Sequence, residues 1–116
     1  EEKTVFILSC DGKFALEKRP AAGLLAGLWQ FPNVSGHFST ADALEAVQAM
    51  GIRPREIIKQ IERKHIFTHI IWKMQGIYLK VAEETGDFSW LTAEQILGEA
   101  ALPTAFRQFF EEADHV

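Results

Sequence analysis

Apolar and polar positions fall along this chain in blocks of two kinds, one with strand spacing and one with helix spacing. Val5 to Cys10 is a nearly continuous apolar run, the pattern of a strand covered on both faces. Asp11-Gly12 follows, a dipeptide that tolerates the positive φ angles of a tight hairpin turn, and Phe14 to Lys18 reads as the returning strand. From Arg19 to Asn33 the pattern is irregular. Gly23, Gly27 and two prolines frame Leu24, Leu25, Leu28, Trp29 and Phe31, which predicts a packed loop leading into a short strand.

Helix signals come next. Ser39-Thr40-Ala41-Asp42 offers side-chain oxygens where a helix start has free N–H groups. Ala41, Leu44, Val47 and Met50 follow at helical spacing, and Gly51 suits the left-handed stop. Ile57 to Glu62 and Ile70 to Val81 are rich in β-branched and aromatic residues and predict two longer strands, joined by Arg63 to His69 as the hairpin end. Thr92 to Gln95 fits a capping box for a short helix closing near Gly98. Pro103 suits a first helical turn, and Phe106, Phe109, Phe110 and Ala113 mark one buried helix face. The order ββ(β)αββ(β)αα, without repeats, predicts a mixed sheet with helices on both faces.

Composition narrows the class. At 116 residues, with 47% apolar and 24% charged, the chain suits one domain with enough apolar surface to offset chain entropy. No apolar run approaches the roughly 18 residues of a membrane span, and no basic-then-apolar leader opens the chain. A single cysteine, Cys10, excludes an internal disulfide framework and an all-cysteine metal site. A cytosolic protein is expected. Because the first residue is Glu1, a piece excised from a longer protein is also expected.

The net charge of −4 conceals an asymmetry. Residues 53–80 carry Arg53, Arg55, Lys59, Arg63, Lys64, Lys73 and Lys80 against only Glu56 and Glu62. That segment is either an ordinary solvated strand surface or an anion-binding face on an acidic body. Catalytic chemistry is scarce. His65 and His69 stand four apart, but in a strand-and-turn context and without a credible third ligand, so a metal site is not expected. Glu83-Glu84 and Glu111-Glu112 read as solvated surface charge, and Cys10 as a buried packing residue. There is no P-loop and no Rossmann glycine run. The residues read as a binding domain rather than an enzyme.

Three segments carry a family resemblance. Arg19 to Asn33 (RPAAGLLAGLWQFPN) resembles the opening of the C-terminal domain of MutY-type adenine DNA glycosylases, which remove adenine misincorporated opposite 8-oxoguanine. Lys64 to His69 (KHIFTH) is similar to that family's lesion-recognition loop, which usually ends Phe-Ser-His, and Leu102 to Phe106 (LPTAF) to the start of its closing helix. The resemblance spans residues 4–112. It implies the α/β (α+β) Nudix-like fold, a mixed sheet between helices, with residues 1–116 forming one lesion-recognition domain. The Nudix hydrolase signature has lost its metal-binding carboxylates. Aligned on Gly51-Ile52, Glu45 remains, while Leu44, Gln48 and Ala49 stand where the signature has arginine and paired glutamates.

By this resemblance Phe67, Thr68 and His69 face the lesion, and Arg63, Lys64 and His65 hold the DNA backbone. Thr68, in place of the family serine, accepts from the N7 proton that distinguishes 8-oxoguanine from guanine. Phe67 is expected to stack on or wedge beside a base step rather than pack into the core. His69 contacts the lesion edge or a phosphate, or orients the loop. Trp72 and Tyr78 are expected in sheet packing. The implied partners are double-stranded DNA with 8-oxoguanine:adenine or guanine:adenine mispairs, and the parent's N-terminal catalytic domain, with no membrane. No cofactor is expected in this domain; an iron–sulfur cluster is expected in the preceding one, and base excision belongs to the parent in a bacterial cytosol or nucleoid. Two alternatives are a Nudix nucleotide pyrophosphatase with a displaced metal site and a protein-interaction module whose basic hairpin grips an acidic partner.

Overall fold

The computed structural model describes residues 1–113. Its elements run β1 (Glu2–Cys10), β2 (Lys13–Lys18), β3 (Trp29–Gln30), β4 (Asn33–Ser35), α1 (Thr40–Ala49), β5 (Pro54–Ile66), β6 (Ile71–Val81), β7 (Ser89–Thr92), α2 (Ala93–Gly98) and α3 (Thr104–Glu111). The seven strands form one mixed sheet in the order β3-β2-β1-β6-β5, with β4 also on β1 and β7 also on β2. The expected α+β fold is the observed one.

β1 lies at the centre because its apolar run can fill both faces. It pairs parallel with β6 from Glu2↔Lys73 to Ser9↔Lys80, and Val5, Phe6, Ile7 and Leu8 are all fully buried. Val5 and Ile7 join one core with Phe106 and Phe109 of α3; Phe6 and Leu8 join the other with Ala43 and Val47 of α1. Asp11 and Gly12 both adopt positive φ, as the β1–β2 turn requires. Ser39 caps α1 by accepting from the Asp42 N–H, and Thr92 with Gln95 completes the capping box of α2.

Several local expectations are corrected. The face of α1 turned to the sheet is Ala43 and Val47, with Leu44 and Met50 partly buried, whereas Ala41 in the first turn is exposed. Pro103 is the N-cap of α3 and not its first helical residue. β5 extends through Ile66, so Arg63, Lys64 and His65 belong to the strand. Their partners Met74, Lys73 and Trp72 continue the ladder there, and only residues 67–70 remain for the turn.

Gly76 sets how closely α3 packs. A Cβ at this position would stand 2.6 Å from the Phe109 ring, so the helix reaches the sheet only because β6 has no side chain there. Two residues along, the Tyr78 hydroxyl donates to the Phe109 carbonyl at 2.5 Å.

Candidate nucleic-acid interface

β5 and β6 outrun the rest of the sheet. The register with β1 ends at Glu2↔Lys73, where the Glu1 amine still donates to the Ile71 carbonyl at 2.9 Å, while the β5–β6 ladder continues to Ile66↔Ile71. The Phe67 N–H donates to the Ile70 carbonyl at 2.7 Å and closes the turn, leaving Thr68 and His69 exposed at its tip. Among the described residues, neither the Thr68 hydroxyl nor the His69 ring has a hydrogen-bond partner.

Cross-strand partners share a face, so the register divides this ribbon in two. His65, Phe67, Ile70 and Trp72 turn toward the α3 side. Lys64, Ile66, Ile71 and Lys73 turn the other way. On the first face an aromatic series runs inward: His65 to Phe67 at 4.7 Å, Phe67 to Trp72 at 4.9 Å and Trp72 to Phe106 at 5.9 Å, all edge-on. Phe67 is half-buried and packs against the α3-side core. The ring expected to stand clear for a base step is, in this structure, a strand-end aromatic. Trp72 draws it in, because burying a second ring against an already buried indole removes apolar area from water.

Trp72 also anchors the neighbouring loop. The Lys3 ammonium lies 4.6 Å and the Arg19 guanidinium 5.2 Å from its ring centre. Arg19 then donates through Nε to the Leu24 carbonyl at 3.0 Å and through Nη1 to Gln30 Oε1 at 2.7 Å. Leu24 is thereby held beside the tip, and the two border a groove of about 470 Å³ lined by Leu24 and residues 66–70. Sequence reasoning assigned Arg19 no role. Its only signal was its place at the start of the RPAAGLL segment.

The basic segment is less uniformly free than its charge suggests. Arg53 is paired with Glu83, and Arg63 lies 3.6 Å from Glu112. Lys59 donates to the Glu112 carbonyl. Lys64 and Lys73 are exposed and have no ion-pair partner among the described residues. The expected backbone-binding trio is therefore split, with Arg63 and His65 on one face and Lys64 on the other. Ile66 and Ile71, also missed from sequence, are 61% and 47% exposed beside that lysine pair.

A divalent cation does not fit α1. Glu45 is exposed, and Gln48 and Ala49 offer no carboxylate on the following turn, whereas magnesium requires several hard oxygen ligands. No cluster of three potential metal ligands occurs among the described residues. Cys10 is buried, and burial together with Asp11 raises its thiol pKa, opposite to a nucleophile's requirement. No helix among the described residues is long and apolar enough to cross a membrane.

The sequence profile described as NUDIX domain matches residues 4–112. The chain belongs to the NUDIX domain family. It is 32% identical over 98 residues to an adenine DNA glycosylase of Schizosaccharomyces pombe, covering 72% of this chain and 21% of that protein. It is 36% identical over 91 residues to an adenine DNA glycosylase of Arabidopsis thaliana, covering 65% and 14%. The chain thus spans 21% and 14% of the length of these relatives. Among solved structures, the C-terminal domain of mouse MUTYH, determined in complex with human PCNA, superposes with a TM-score of 0.73 at 27% identity, covering 98% of this chain and 88% of that one. A MutT NUDIX hydrolase from Burkholderia pseudomallei superposes with a TM-score of 0.76 at 16% identity, covering 97% and 96%, a likeness of fold alone.

Proposed function

We propose that this NUDIX domain is the lesion-reading part of an adenine DNA glycosylase and binds duplex DNA through the β5–β6 tip without catalysing a reaction itself. The observation that carries this reading is the exposed Thr68 hydroxyl, unpartnered among the described residues, at the end of a ribbon that projects beyond the sheet. The two adenine DNA glycosylase relatives and the MUTYH domain support it. Catalysis and any iron–sulfur cluster belong to another part of the parent protein. A cluster of that kind is held by several cysteine thiolates, and this chain has only Cys10.

8-Oxoguanine differs from guanine at the N7 edge, where an acceptor becomes an N–H donor. A hydroxyl oxygen accepts from that donor and gains nothing from the bare N7 lone pair unless it rotates to donate. In this reading Thr68 makes the distinction, and the exposed His69 stands next to it at the tip. A single hydrogen bond of this kind contributes about 0.5–1.5 kcal/mol, roughly two- to twelvefold. Thr68→Val removes the hydroxyl with little change of shape. Single-turnover adenine excision by the parent protein, opposite 8-oxoguanine and opposite guanine, should show a smaller ratio for this variant. Equal slowing on both substrates would mean that the hydroxyl does not read the lesion. Thr68→Ser should keep the ratio.

A further inference from the structure

We propose that Ile66 and Ile71 form an aliphatic reader of thymine methyl groups next to the lesion, and so give this domain a sequence-context preference. The proposal rests on the lesion-reading role of the tip. Ile66 and Ile71 are direct cross-strand partners, with Cβ atoms about 5 Å apart, on the face opposite Phe67. They are two of three large hydrophobic residues classed as exposed among the described residues. Isoleucine is a poor choice for a solvated hairpin end, where Thr, Lys or Glu would serve the ladder without presenting apolar area to water.

The next pair inward on that face is Lys64↔Lys73, about 7 Å down the ribbon by the rise of a strand. One face of the hairpin therefore offers two aliphatic side chains at its end and two ammonium groups behind them, with Glu62 and Glu2 further inward. A two-stranded ribbon fits the major groove, which is about 12 Å wide, and the guanine N7 edge opens into that same groove. With Thr68 at N7, one ribbon face turns along the groove floor toward the neighbouring base pair while the lysines reach phosphates at the groove wall. The apolar feature of the major-groove floor is the C5-methyl of thymine. An ammonium pair behind an apolar pair suits a groove that carries a thymine methyl on its floor and phosphates at its rim. An acidic protein partner would engage the lysines but leave the isoleucines uncovered.

The test uses the protein that carries this domain and duplexes with a central 8-oxoguanine:adenine pair, flanked by thymine or by uracil, which lacks only the methyl. For the unaltered protein, uracil should weaken binding about fourfold for each methyl that is covered. In the Ile66→Ser, Ile71→Ser double variant the thymine and uracil duplexes should bind alike, with the salt dependence unchanged. Both sites are exposed, so the fold should tolerate the change. Equal binding of the two duplexes by the unaltered protein would overturn the proposal, as would a methyl effect that survives in the double variant. A lowered melting temperature with the methyl effect intact would assign the pair to contact with another part of the protein, and also overturns it. Thr68→Val keeps the two ideas apart. If it loses lesion preference while the methyl effect is absent, the tip reads the lesion and the isoleucines do not read context. If Thr68→Val changes nothing and the methyl effect is absent, both readings fail.

Discussion

The rings of Phe67 and Trp72 meet edge-on with centroids 4.9 Å apart, so the residue expected to enter DNA is also the cover of the core beneath the tip. Phe67→Ala should therefore act first on stability. Removal of a half-buried ring that touches Trp72 should lower the unfolding free energy by about 1–3 kcal/mol, below the range for a fully buried phenylalanine. Urea denaturation of the domain checks this. An unchanged midpoint would mean that the ring is held only loosely and is free for a base step.

Arg63 and Lys64 are adjacent in sequence but should separate in function. Arg63 faces Glu112, whereas Lys64 is exposed on the opposite face. Lys64→Ala should reduce the salt slope of duplex binding by about one unit, the value for one phosphate contact. Arg63→Ala should change it less. Binding isotherms over a range of potassium chloride concentrations would reveal the difference, and equal slopes for the two variants would contradict it.

Gly76→Ala should be strongly destabilising although it adds only one carbon. Its Cβ would sit 2.6 Å from the Phe109 ring and push α3 away from the sheet. The cost should be about 1–3 kcal/mol, the range for overpacking a core. Phe109→Leu in the same chain should recover part of it. Thermal melts of the single and double variants would show whether the two changes are coupled.

Tyr78 gives the domain an alkaline limit. Burial and the nearby Glu112 raise its phenol pKa well above the ordinary value, with Arg63 opposing. Because the folded pKa is the higher one, the stabilisation is complete below about pH 10, the unfolded value. It is lost as the pH rises from there toward the folded pKa. Tyr78→Phe should remove this alkaline loss. At neutral pH it should cost about 1–3 kcal/mol, because the Phe109 carbonyl loses its donor. Denaturant midpoints at pH 7 and pH 11 test both halves.

The domain should not hydrolyse nucleoside triphosphates with magnesium or manganese, since Glu45 lacks companion carboxylates on α1. Phosphate release above a buffer blank, lost on Glu45→Gln, would contradict this.

Much of the architecture was legible in the sequence because burial on both faces leaves a plain signature. The apolar run at Val5 to Cys10 marked the central strand, and the Ser39 and Thr92 caps marked two helix starts. The end of β5 was not legible. Arg63, Lys64 and His65 look like a polar loop when read alone, and only their pairing with Met74, Lys73 and Trp72 makes them a strand. The same register hid the division of charges between two faces, and the pull of Trp72 on Phe67 depends on contacts distant in sequence. Ile71 read as a strand former and Ile66 as part of the hairpin end, and their exposure follows from the ladder's continuation past β1.

The parallel pairing of β1 with β6 also sets an order of assembly. Paired residues such as Glu2 and Lys73 stand far apart in the chain, so the centre of the sheet closes a long loop, and the β2–β7 pairing closes one longer still. The β5–β6 hairpin is contiguous and can zip locally, but Trp72 acquires its Lys3 and Arg19 neighbours only when the opening strands arrive. Long-range closure of this kind is slow relative to hairpin formation. During synthesis the first strand must wait for the sixth, with its apolar side chains uncovered. The tip gains that support from the opening strands only after its own residues have found one another.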